Sequence, residues 1–138
     1  MRLYGSMPIA HVNPDGLPCN PSFSQAVRVP AGYATIHVGG QNGVGTDGAL
    51  VGPGLGEQTS QALANLQTCL EAAGASVADV VKWTILCLDG APLAEGLCAF
   101  EEFWPQDAPP PAITVAFVAG LAVPGAMVEI EAVAAVPS

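Results

Sequence analysis

Glu129 and Glu131 stand two residues apart in an otherwise apolar run, Val128-Glu129-Ile130-Glu131-Ala132. Side chains alternate along a strand, so both carboxylates would project from one face. A carboxylate in a partly apolar pocket can take and return a proton, which makes this pair candidates for a general acid/base. The same alternation also fits a strand whose solvent face is acidic. Gln41 and Asn42 follow Gly39-Gly40 at the end of an alternating run, where loops often carry function. Their amides could hold a ligand, although Asn42-Gly43 is also an ordinary turn signal. Trp83 sits in a strongly apolar segment and fits either a pocket wall or the core. His37 on a strand fits a half-buried structural histidine better than a base. His11 and Asp15 lie near no nucleophile in sequence, and Ser22 and Ser24, flanking Phe23, form no nucleophile elbow. The glycines at 39, 40, 43 and 45 lack the spacing of a phosphate loop or dinucleotide fingerprint.

These residues need a frame. Tyr33 to Val38 alternates with period two, placing Ala34, Ile36 and Val38 on one face, and Gly39-Gly40 is expected to end this strand. Ala26 to Val29 is a short extended run before it. Glu57 to Ala73 reads as a helix with Leu63, Leu66, Leu70 and Ala73 as its buried stripe. Gly74 fits the left-handed residue that closes it, and Ser76 to Asp79 reads as a capped turn. Val80 to Leu88 is expected to be a central strand, apolar on both faces. Pro92 starts a second helix, with Leu93, Leu97, Phe100 and Trp104 as its stripe. Strands at Ala112 to Val118 and Ala126 to Val136 complete an α+β order, β-β-α-β-α-β-β. Its two crossovers would put both helices on one face of a mixed sheet. A single domain is expected, with residues 1–18 as an N-terminal extension and first strand before the main body, 19–138.

Composition narrows the partners. Apolar residues make up 51% of the 138 and charged ones only 11%. That is more apolar surface than so small a domain can hide, which predicts a subunit interface. Three basic residues, Arg2, Arg28 and Lys82, face twelve acidic ones, for a net charge of −9. Binding nucleic acid depends on cations that displace counterions from phosphates, so that function is excluded, and an anionic membrane surface with it. The first residues have no apolar signal core, and the longest apolar run, Ile113 to Val123, is too short to span a bilayer. Cys19, Cys69, Cys87 and Cys98 form no Cys-x-x-Cys pair and have no histidine at metal spacing. They read as reduced packing residues of a cytoplasmic protein.

Several segments, in this order and spacing, resemble the RidA/YjgF family of enamine/imine deaminases, also called endoribonuclease L-PSP. They are Phe23-Ser24-Gln25-Ala26-Val27, Val38-Gly39-Gly40-Gln41, Gln58-Thr59 through Leu66, Leu70 to Gly74, and Val80-Val81-Lys82. Pro110-Pro111 with Thr114-Val115, and Val128 to Ala132, complete the set. The resemblance implies a chorismate-mutase-like fold and a homotrimer with small-molecule clefts between subunits, without metal or cofactor. It makes Glu129 the pocket carboxylate and sets Gly39, Gly40 and Gln41 beside it. It also marks three departures. The family's substrate-gripping Arg falls on Ala112, its assisting Asn on Leu97, and its pocket Tyr on Phe23. A bidentate, charge-assisted grip on a carboxylate is thereby lost. The expectation is a cleft for a small neutral or aromatic molecule, walled by Phe23, Trp83, Leu97, Ala112 and Thr114. Gln41 and Asn42 would supply amides, and Glu129 would guide water onto a C=N bond of a substrate other than 2-aminoacrylate. The alternative is a non-catalytic homotrimer that binds a metabolite or partner. A guanidinium from elsewhere, such as Arg28 of a neighbouring protomer, would restore the anion grip. Ribonuclease action is not expected.

Overall fold

The computed structural model describes residues 7–138; residues 1–6 of the expected extension lie outside the described residues. Six strands and two helices follow one another: β1 (Ala10–Val12), β2 (Ala26–Arg28), β3 (Tyr33–Gln41), α1 (Leu55–Ala72), β4 (Val80–Leu88), α2 (Leu93–Phe103), β5 (Ala112–Val118) and β6 (Val128–Pro137). A single 3-10 turn, Val77–Asp79, leads into β4. The main sheet runs β3-β6-β4-β5, with β4 and β5 parallel and the other neighbours antiparallel. This is the expected α+β mixed sheet. β1, too short to show a period, pairs with β2 in a separate two-stranded arm.

The helix stripe packs as its spacing requires. Leu63, Leu66 and Leu70 are fully buried against Val38, Trp83, Cys87, Val128, Ile130, Ala132 and Ala134 of the sheet. Ala73 instead lies exposed at the helix end, where Gly74 takes φ +85° and closes the helix. Ser76 donates its backbone N–H to Asp79 at 2.8 Å, which holds the turn before β4. Gln58, fully buried on α1, ties two loops to the helix. Its amide donates to the carbonyls of Gly52 and Gly125, and its Oε1 accepts from the Met127 N–H. Gly43 is required beside it, because a Cβ there would lie 2.5 Å from the Gln58 Cα.

Gly39-Gly40 does not end β3. The strand continues to Gln41 through a bulge: Val38 pairs with Ala132, and Gln41, three residues on, pairs with Ile130, two residues back. An extra residue on one strand bends it and re-aims its neighbours.

The helices cover one sheet face. The opposite, open face is set by register: Leu86 lies beside Glu129, Thr84 beside Glu131, and Lys82 between Val133 and Ala112. Among the described residues, no helix is long and apolar enough to cross a membrane.

Candidate functional site

Glu129 is half-buried on β6, on the open face. Its carboxylate lies flat over the bulge. A Cβ at Gly40 would come 2.7 Å from the Glu129 Cδ and 2.8 Å from Oε2, so only glycine admits this placement. Glu129, Gly40 and Gln41 are thus brought together, and the bulge does it. The nearby amides are committed elsewhere. Gln41 Nε2 donates to its own strand at the Gly39 carbonyl, 3.2 Å away. Asn42 is buried, and its Nδ2 donates to the Val128 carbonyl at 3.0 Å. Asn65 in turn donates to the carbonyls of Asn42 and Val44. Asn42 is therefore a clamp between the β3 end and β6, not a ligand contact as expected.

A second cluster forms where the N-terminal arm meets the start of β5. The N-terminal arm is fastened to the segment before β5: Ser24 donates its N–H to the Pro111 carbonyl at 3.0 Å, and its hydroxyl donates to the Pro110 carbonyl. His11 Nδ1 lies 3.1 Å from that same Pro110 oxygen. This latch holds half-buried Phe23 one residue from Ser24, close to Ala112 at the start of β5. Lys82, the register partner of Ala112, donates from Nζ to Thr114 Oγ1 at 2.6 Å. No local sequence signal marks either the His11–Ser24 latch or the Lys82–Thr114 pair. Only the spatial nearness of positions some 86 to 99 residues apart reveals the latch.

Phe23, Ala112 and Thr114 do not meet Glu129 within one chain. Lys82 and Leu86 mark the two ends on β4, four residues apart, which is about 13 Å along a strand.

Two expected wall residues lie on the wrong side of the sheet. Trp83 is fully buried on the helix side and packs edge-to-face against Phe100 at 5.3 Å and Trp104 at 6.2 Å between ring centroids. It is core, because alternation along β4 points it away from Glu129. Leu97, 48% exposed, lines an apolar cavity with Ile85, Cys87, Ile113 and Ile130, also on the helix side. Cys87 is buried there, and burial pushes its thiol pKa up. Cys69 and Cys98, expected to pack inside, are exposed, and all four cysteines are free thiols. Glu131 is exposed beside a depression of about 270 Å³ shared with His37, Lys82 and Thr84.

Comparison with known proteins agrees with this architecture. The endoribonuclease L-PSP family profile matches residues 17–136. A bovine 2-iminobutanoate/2-iminopropanoate deaminase is 34% identical over 81% of this chain and 78% of its own length. The rat protein of the same name is 45% identical over 69 residues, 49% of this chain and 48% of the rat protein, so the chain spans about half the length of that relative. The crystal structure of a protein of unknown function in the conserved Rid family of Yersinia pestis superposes with a TM-score of 0.82. It is 35% identical and covers 94% of this chain and 100% of that one.

Proposed function

The chain belongs to the RidA/YjgF family, that of endoribonuclease L-PSP, and from that premise we propose that it hydrolyses a C=N bond in a cleft between subunits. Glu129 is the catalytic carboxylate. It removes a proton from water as the oxygen adds to the imine carbon. It returns that proton to the nitrogen to give a carbinolamine, then carries the hydroxyl proton to the same nitrogen, so that the C–N bond breaks, ammonia leaves and the carbonyl forms. Proton transfer by one positioned group is worth about 10²–10⁴-fold. The observation that carries this reading is the Glu129 carboxylate seated over Gly40, with the Gln41 and Asn42 amides bonded elsewhere. Among the described residues, neither of those amides occupies its oxygens. The relatives named as imine deaminases support the reaction class.

The cleft completes itself in a homotrimer. Glu129 at one end of the open face would meet the Phe23–Ala112–Thr114 end of a neighbour, since the two ends stand too far apart in one subunit. A sheet face that carries half-buried Leu86 beside Glu129, with half-buried Ala116 next to it, is suited to such burial. Ala112 offers a methyl group where the family resemblance places Arg, so the substrate is one that does not depend on a bidentate grip. Ammonia release from 2-aminoacrylate is therefore expected to be poor in the wild type and to rise about tenfold or more in Ala112→Arg. Rapid wild-type turnover of 2-aminoacrylate would contradict the substrate assignment. A monomer at micromolar concentration in analytical ultracentrifugation would contradict the cleft.

A second reading has its own observation. Phe23 and Ala112 both lack the polar groups of the family pocket, which suits a homotrimer that binds a metabolite or partner without turnover. Absence of ammonia release from every imine tested, with saturable binding retained, would favour it.

A further inference from the structure

A cleft of about 280 Å³ opens between the N-terminal arm and the C-terminal end of α2, lined by Ser22, Phe100, Glu101, Trp104, Gln106 and Pro110 among others. None of the residues assigned to hydrolysis lines it. Its aromatic walls are fixed. Phe100 and Trp104 both pack edge-to-face on the fully buried Trp83, and the Trp104 Nε1–H donates to the Ala108 carbonyl at 3.3 Å.

The electrostatics of this end are unbalanced. A helix C-terminus carries partial negative charge and is normally answered by Lys, Arg or His. The last turn of α2 has no basic residue and carries Glu101 and Glu102. Arg28 and Lys82 do not line the cleft. A net charge of −9 further raises the local concentration of cations. A carboxylate, the C-terminal end of a helix and two aromatic residues lining one small volume favour a cation that is weakly hydrated. An inorganic ion would gain little from the rings, and an anion would be repelled.

The geometry points to a second ligand site that takes a small organic ammonium ion. Glu101 supplies the charge, Phe100 and Trp104 the aromatic walls, and Gln106 and Ser22 the polar rim. The site does not depend on the hydrolytic reading.

The test is a titration of the full-length protein with tetramethylammonium chloride at constant ionic strength, followed by tryptophan fluorescence, with tert-butanol as the neutral counterpart. Saturable quenching at millimolar concentration is expected for the ammonium and not for the alcohol. Glu101→Gln is expected to weaken binding about tenfold. Glu102→Gln, the same charge change on a residue lining a different depression, is expected to leave it within about twofold. Ser22→Trp, which fills the cleft from the exposed arm, is expected to abolish it. No saturable response, equal losses in the two Glu variants, or equal binding of tert-butanol would each overturn the assignment.

Discussion

Glu57 and Glu129 both press a carboxylate against a glycine that has no room for a Cβ, Gly52 in one case and Gly40 in the other. The surroundings differ. Glu57 lies in the first turn of α1, and its Oε1 accepts the Gly54 backbone N–H at 2.8 Å. That bond satisfies a donor next to the helix start, where a carboxylate is also favoured by the dipole. Around Glu129 the side-chain amides of Gln41 and Asn42 are spent on carbonyls. Close packing of a glutamate on a glycine therefore does not identify a functional group. The difference is whether local donors use the carboxylate up.

Substitution of the glycines tests this contrast most strongly. Gly40→Ala must push the Glu129 carboxylate aside, and hydrolysis is expected to fall by about 10²-fold, the low end of what a positioned acid/base contributes. Its melting point should move little, since Gly40 is exposed. Gly52→Ala is expected to do the reverse, pushing the Glu57 carboxylate off the Gly54 N–H at a cost of about 0.5–2 kcal/mol of stability while turnover per folded molecule persists. Denaturant melts and ammonia assays on the two variants separate these outcomes. Asn42→Ala comes next. It strands the Val128 carbonyl, and a loss of about 1–3 kcal/mol is expected in chemical denaturation. Glu57→Gln should cost about 1 kcal/mol through the weakened helix start, with no change in rate.

The smallest effect concerns the helix side of the sheet. Burial raises the Cys87 pKa, so the folded state holds its proton at a pH where the unfolded state has released it. Stability therefore falls as pH climbs from the unfolded thiol pKa, about 8.5, through the raised folded one. Cys87→Ala is expected to flatten that alkaline decline in urea melts between pH 8 and 10.

The contrast between the two glutamates also marks how far the sequence could be read. Leu63, Leu66 and Leu70 declared the buried face of α1, and Gly74 its end, because local spacing and backbone preference decide both. The strand alternation showed that Glu129 and Glu131 share a face. It did not show which face Trp83 joins, because β4 is apolar throughout and its phase comes only from pairing with β6. Leu97 follows the stripe of α2 yet is half exposed, beside a cavity that α2 leaves open over β4, β5 and β6. Gly39-Gly40 looked like a terminator because two glycines weaken a strand; pairing with β6 carries β3 on as a bulge. Asn42 looked like a loop amide, and its partner Val128 is 86 residues away, beyond any local signal. The Ser24–Pro110 latch likewise joins positions 86 residues apart and leaves no local signal.

The most direct test of the account is Glu129→Gln, assayed for ammonia release from a panel of small imines and for thermal midpoint on the same preparation. The account predicts that turnover disappears while the midpoint and subunit mass stay as in the wild type. A variant that hydrolyses the imines at the wild-type rate, or that loses the fold along with the activity, would contradict it.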